Sequence, residues 1–348
     1  MAGSGTAQLR APDEAMLRVE SLSVEFHGPR GESTVKAVSD VSFDVLAGET
    51  LGLVGESGCG KSSLARAVMQ LPPPTAGRVI LDGVDLAGLS DRDLRPLRPR
   101  FQVIFQDPIS SLNPRHRVAQ IVGEPATVWR RASGAALDQL VDETLEAVGL
   151  DPASTRNRRP TQFSGGQCQR ICIARALVLS PELLICDEPV SALDVSIQAQ
   201  ILNLMKDLQS RHGLTYLMIS HDLAVVRYMA DTIGVMYLGK VVELGPAAEV
   251  YGRSAHHYTL GLLNAVPVAD VRIARERAAG RVRVEGELPS SISPPQGCRF
   301  NTRCPAAQPR CFEEEPQLQD FGDGHYAACH FPLQTPVALS ATRGATTA

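Results

Sequence analysis

Apolar and polar residues alternate through Leu17-Arg18-Val19-Glu20, Ser23-Val24-Glu25-Phe26 and Val41-Ser42-Phe43-Asp44-Val45, which predicts half-buried strands between residues 16 and 54. Leu51-Gly52-Leu53-Val54 is instead a short apolar run bounded by glycine, the pattern of a fully buried strand. Ser62 to Leu71 then reads as a helix, stopped by Pro72-Pro73-Pro74. Residues 109–162 change character and read as mostly helical, with Leu137, Leu140, Val141, Leu145 and Val148 on one face. Strand and helix alternation resumes at Leu183 and continues through Thr215 to Ile219. The pattern predicts an α/β core carrying a helical insertion. Residues 266–295 turn Arg-rich and then Pro/Ser-rich, as a linker or irregular arm would, and residues 336–348 are small and polar, which predicts disorder.

At 348 residues, 44% hydrophobic and 21% charged, the chain has the composition of an ordinary soluble protein and the length for one large or two modest domains. A net charge of -4 argues against bulk electrostatic binding to nucleic acid or anionic lipid. No apolar run approaches the roughly 20 residues that cross a bilayer. Residues 1–15 carry Arg10 without a following hydrophobic stretch, so they are expected to be a flexible tail and not a secretory signal, and the protein is expected in the cytoplasm.

The buried strand ending at Val54 runs into Gly-Glu-Ser-Gly-Cys-Gly-Lys-Ser, residues 55–62, a complete G-x-x-x-x-G-K-[ST] phosphate loop in its required strand–loop–helix setting. Backbone amides of Gly55, Ser57, Gly58, Cys59, Gly60, Ser62 and Ser63 would face the phosphates of a bound nucleotide, with the dipole of the following helix behind them. Lys61 would place its charge on the β- and γ-phosphates, and the Ser62 hydroxyl would ligate Mg²⁺. Asp187 and Glu188 end the apolar run Leu183 to Cys186, at the carboxyl end of a buried strand where ligands bind open α/β sheets. Asp187 fits a second contact to Mg²⁺, and Glu188 is then placed to polarise the water that attacks the γ-phosphate.

With these motifs the chain resembles the ATP-binding cassette (ABC) ATPases. Phe163 to Gln167 corresponds to the family signature, Phe105 to Pro108 to its Q-loop, Ser191 to Asp194 to its D-loop, and Ser220-His221-Asp222 carries the switch histidine. The resemblance implies a RecA-like sheet with an antiparallel β part, spanning residues 16–260, and a helical subdomain at about 108–178. It also implies that two cassettes close head to tail, with Ser164, Gly165, Gly166 and Gln167 of one chain completing the ATP site of the other. Gln106 would contact Mg²⁺ or the attacking water, His221 the γ-phosphate, and Asp194 the dimer interface beside the nucleotide. Phe26 is the candidate for stacking on adenine, a core-facing strand phenylalanine being the alternative.

Residues 107–115 and 186–200, and His256-His257-Tyr258-Thr259-Leu260, look like the ATPases of bacterial dipeptide and oligopeptide importers, and Ser111 to Glu124 like the second of their two paired cassettes. Cys168, where relatives are more often basic, and His257, where proline is usual, depart from the pattern without touching a catalytic role. Cys298, Cys304, Cys311 and Cys329, spaced C-x5-C-x6-C-x17-C, fall in a C-terminal extension over residues 261–335. Four thiolates suit a [4Fe–4S] cluster or tetrahedral zinc, and the resemblance implies the cluster; unligated or disulfide-paired thiols are the remaining alternative. Cys168 and Cys172, one helical turn apart without further ligands, read as ordinary thiols.

The implied partners are a paired and different ATPase subunit, two transmembrane permeases and an extracytoplasmic peptide-binding protein, with no nucleic acid, and a place on the cytoplasmic face of the membrane. Nickel is the alternative cargo. A soluble ABC ATPase acting on DNA or ribosomes lacks support, because no long coiled-coil insertion, zinc hook or second cassette is present. A ferredoxin-like redox protein fails because only one four-cysteine set exists.

Overall fold

A computed structural model describes residues 6, 8–11, 13–28, 33–265 and 286–333. The apolar runs form the middle of an eight-stranded sheet, because strands with helices on both faces have no polar side to show. Its elements in chain order begin with β1 (Ala15–His27), β2 (Thr34–Leu46), β3 (Thr50–Val54), α1 (Lys61–Val68), β4 (Ala76–Leu81), β5 (Val84–Asp85), α2 (Asp91–Leu94) and β6 (Phe101–Ile104). The helical insertion follows as α3 (Val118–Val128), α4 (Ala135–Ala147), α5 (Pro152–Thr155) and α6 (Gly165–Leu177). Then come β7 (Leu183–Asp187), α7 (Val195–His212), β8 (Thr215–Ser220), α8 (Leu223–Met229), β9 (Thr232–Tyr237), β10 (Lys240–Pro246), α9 (Ala247–Gly252) and α10 (His257–Ala265). The extension adds α11 (Pro309–Glu313), β11 (Gln319–Asp320) and β12 (Tyr326–Ala327).

The large sheet runs β11-β12-β10-β9-β3-β8-β7-β6, parallel from β9 through to β6 and antiparallel beyond β9. A second, antiparallel sheet, β2-β1-β4-β5, packs its apolar face over α1. The two strands expected at residues 17–20 and 23–26 are one strand, β1, with irregular pairing where Ser21 takes a positive φ of 47° and its N–H turns to Ser42 Oγ. Helix α1 ends earlier than expected: Gln70 adopts φ 58° and Leu71 N–H bonds back to Arg66 O, a closure that stops the helix before the prolines do.

The helical insertion starts at Val118 and not near 108. Residues before it are held in turns by short side chains, with Ile109 N–H donating to Asp107 Oδ1 and Arg115 N–H to Asn113 Oδ1. Val141, Leu145 and Val148 are buried as their spacing predicts, while Leu137 and Leu140 pack at the edge of the same cluster. Cys168 and Cys172 are buried in it as packing residues.

Residues 8–11, inside the expected flexible tail, dock on the β2 side of the molecule. Arg10 donates its N–H to Asp44 at 2.7 Å and its guanidinium to both Glu49 oxygens, while Gln8 is buried. The expected boundary at 260/261 falls inside α10, and the extension shares a core with the cassette: Phe300 packs edge-on to Tyr237 and tilted against Tyr258. Glu243 of β10, fully buried, joins the parts by accepting from Ala255 N, His256 N and His325 Nε2 at 2.7, 3.0 and 2.7 Å. Of the linker or irregular arm expected over 266–295, residues 266–285 lie outside the described residues, as does the tail over 336–348, while residues 286–295 carry bends and no helix or strand.

Candidate active site

β3, β7 and β8 are neighbours in the sheet, so the loops at their carboxyl ends converge on one cleft. The cleft holds about 540 Å³, within the range of nucleotide-sized pockets, and Phe26, Lys61, Ser62, Gln106, Glu188 and His221 line it. Six side chains spread over nearly two hundred positions of sequence are thus brought together. Phe26 is 42% exposed on the cleft wall, which removes the core-facing alternative.

The phosphate loop between β3 and α1 turns through Gly58 and Gly60, whose φ angles of 80° and 107° are open to glycine and few other residues. Lys61, the first residue of α1, is 5% exposed, and its Nζ donates to Gly55 O at 2.7 Å and Glu56 O at 2.9 Å. Cys59 points its side chain inward and is buried, so only its backbone can serve a ligand; burial pushes its thiol pKa up. Ser57, Gly58, Gly60 and Ser63 line the cleft directly.

Across the cleft, Ser62 Oγ donates to Asp187 Oδ1 at 2.9 Å. Burial, reinforced by the neighbouring Glu188 charge, pushes the Asp187 carboxyl above the usual carboxylate range. A hydroxyl and a carboxylate side by side are hard oxygen donors, the ligand type Mg²⁺ takes. Glu188 sits at φ 50°, held by its own N–H to Ile219 O. Gln106 Nε2 donates to Glu188 Oε2 at 2.9 Å, and His221 Nδ1 lies 3.0 Å from Oε1, so both carboxylate oxygens are engaged and aimed. This arrangement can orient a water at Glu188 opposite a phosphate held by the loop.

The signature residues stand elsewhere. Ser164 caps α6, taking Gln167 N–H at 3.4 Å while Gln167 Oε1 takes Ser164 N–H at 3.0 Å, a reciprocal cap that satisfies two of the amides at the helix start. Gly165 and Gly166 follow in the first turn, and a Cβ on Gly166 would meet Ile197 Cγ2 at 2.5 Å, so glycine lets α6 approach α7 closely. Asp194, at the start of α7, is exposed. None of these five residues lines the cleft of its own chain.

Sequence reading missed residues that bear on the loop. Val35, Ala37 and Ser291 line the cleft, and Ser291 belongs to a stretch with no motif. Tyr258 Oη accepts Glu56 N–H at 2.8 Å; its position within His256 to Leu260 was visible but its role was not. His257, the departure from proline, ties α10 to the segment after β12 through Phe331 O at 2.9 Å.

The four terminal cysteines line one small cavity with His256, His257 and His330. Burial and mutual proximity push the thiols of Cys298 and Cys329 up to about 12 and 11, and burial holds His256 neutral with a pKa of about 3. All eight cysteines are free thiols, so disulfide pairing is not what holds the extension together. Among the described residues, no three His, Cys, Asp or Glu side chains close around a point that would hold a metal ion.

Residues 38–191 match the ABC transporter family, and residues 242–311 match the C-terminal region of oligopeptide/dipeptide transporters. The chain is 51% identical over 297 residues to the oligopeptide transport ATP-binding protein AppF of Bacillus subtilis, spanning 85% of this chain and 89% of AppF. It is 46% identical over 324 residues to the oligopeptide transport ATP-binding protein OppF of Haemophilus influenzae, spanning 91% and 97%. Among solved structures, the ATP-binding cassette MJ0796, a dimer in a post-hydrolysis state bound to ADP and Pi, superposes with a TM-score of 0.61 at 29% identity, covering 67% of this chain and 99% of that one.

Proposed function

The chain belongs to the ABC transporter ATPases, in the branch with the oligopeptide/dipeptide C-terminal region, and from that premise we propose that it is the ATP-hydrolysing subunit of a di- and oligopeptide importer. The observation that carries this is the separation of two half-sites: Lys61, Ser62, Gln106, Glu188 and His221 share one cleft, while Ser164 to Gln167 stand outside it at the capped start of α6. ATP lies with its phosphates on the loop and its adenine on Phe26. Ser62, with Asp187 and Gln106, would hold Mg²⁺, which would neutralise charge on the β/γ oxygens. Glu188 takes a proton from the attacking water, its carboxylate aimed by Gln106 and His221. A second cassette's Ser164 and glycines donate to the γ-phosphate, so nucleotide glues two cassettes and hydrolysis frees them.

The second cassette in this reading is a different, paired subunit, and two permeases and an extracytoplasmic peptide-binding protein complete the assembly. Among the described residues no helix is long and apolar enough to cross a membrane, in keeping with a peripheral subunit that grips permeases. Exposed Phe105 and Ile109, at the Q-loop beside the helical insertion, offer them an apolar contact. Co-expressed with such permeases and a second cassette, the chain should be recovered from detergent-solubilised membranes in one complex, with peptide-stimulated ATP hydrolysis. Recovery alone, with hydrolysis indifferent to peptide, would refute the importer reading.

Cys298, Cys304, Cys311 and Cys329 are the proposed ligands of a [4Fe–4S] cluster, in a structural role. Their place on the lining of one shared cavity supports this, because four thiolates are the ligand set such a cluster takes. Anaerobically prepared protein should contain about four iron and four acid-labile sulfide per chain. Cys311→Ser should lose them, and stoichiometric zinc in place of iron would refute the assignment.

A further inference from the structure

The phosphate loop is gripped from outside the nucleotide motifs. Glu56, its second residue, takes a two-pronged ion pair from Arg303, with Nη1 at 2.9 Å from Oε2 and Nη2 at 3.1 Å from Oε1. The Arg303 side chain is 8% exposed against 29% for Glu56, and its Nη1 also donates to Tyr237 Oη at 3.3 Å, so the fork is held from the buried arginine side. Arg303 directly precedes Cys304, and its N–H bonds to Phe300 O within the turn that Cys298 opens. From the same turn, Arg299 Nη1 donates to Leu238 O, next to Gly239, whose N–H donates to Cys59 O at 2.8 Å. The cysteine-rich turn therefore reaches the loop at both Glu56 and Cys59.

Glu56 does not line the cleft, so its pair with Arg303 acts on the loop and not on a ligand. A loop that turns through glycines is free to rotate its peptide groups, and each misdirected amide is a lost donor to phosphate. An unpaired carboxylate there would also repel the polyphosphate. We propose that Arg303 is a positioning residue for the phosphate loop: its ion pair with Glu56 fixes the loop's amides for MgATP, so that nucleotide affinity depends on the turn carrying Cys298 and Cys304. The inference rests on the loop being the ATP site.

Fluorescence titration of the full chain with a mant-labelled ATP and Mg²⁺ tests this without recourse to turnover. Arg303→Ala should weaken binding about tenfold. Arg303→Lys, which keeps the charge and loses the fork, should fall between it and wild type. The Glu56→Ala/Arg303→Ala double variant should bind no more weakly than Arg303→Ala alone. Arg310→Ala, which breaks an exposed pair with Glu314 in the same extension, should match wild type and controls for general loosening. A loss under threefold for Arg303→Ala, or additive losses in the double variant, overturns the proposal. Should Arg303→Ala not fold, Glu56→Ala alone decides it by the same threefold limit. Wild-type protein that failed to bind the probe would overturn the ATP site itself, and the positioning role of Arg303 with it.

Discussion

Glu188→Gln should hydrolyse ATP at least a hundredfold more slowly than wild type while binding MgATP with near-normal affinity. The carboxylate is held on both sides, by Gln106 Nε2 at 2.9 Å and His221 Nδ1 at 3.0 Å, and the amide is nearly its isostere, so the cleft keeps its shape. What is lost is the basic oxygen, and general bases typically contribute on the order of 10²–10⁴ in rate. In the proposed reading binding rests on other groups: the loop amides, Lys61 and Phe26. Because turnover and affinity separate, ATP should hold the variant to the second cassette of the proposed assembly, and light scattering or size exclusion of the two subunits together with MgATP should show a persistent two-cassette complex. Wild-type turnover by the variant would remove Glu188 from its assigned role.

Gly60→Ala should abolish measurable nucleotide binding, by more than about a hundredfold. At φ 107° the residue occupies backbone space that L side chains avoid, and a Cβ there would lie 2.1 Å from Ala37 O. The obstacle is backbone and cannot rotate aside. Ala37 itself lines the cleft, so relief must move either β2 or the loop, and each displaces donors from the phosphates. Equilibrium dialysis with MgATP checks the affinity, and a chemical denaturation curve separates local distortion from unfolding. A folded variant that bound ATP within tenfold of wild type would show that the loop tolerates the shift.

The nucleotide motifs were legible because each is a contiguous string whose chemistry needs fixed spacing. The strand–loop–helix order around Gly55 to Ser62 and the apolar run into Asp187 and Glu188 put the residues at strand ends, and the fold brings those ends together. Ser291, Tyr258 and Arg303 were not legible as neighbours of the cleft and its loop, because chain far from them in sequence brings them there and no local pattern marks it. Glu56 and Arg303 are 247 positions apart. The helix ends at Gln70 and Val118 escaped for a different reason: positive-φ closure and side-chain turns are local geometries that hydrophobic period does not encode. The separate extension was the largest departure, since Glu243, Phe300 and β12 make it continuous with the cassette.

That continuity bears on how the chain is made. β10 pairs with β12, and Glu243 waits for His325, a partner 82 residues further along. While the ribosome still holds the last part of the chain, the cassette's motifs are all synthesised, yet one margin of its sheet has unsatisfied backbone groups and a buried carboxylate without its imidazole. Unpaired strand margins on nascent chains are sites of wrong pairing. The β11–β12 hairpin closes that margin, so the sheet that carries the nucleotide motifs is completed only when a segment translated well after them has docked.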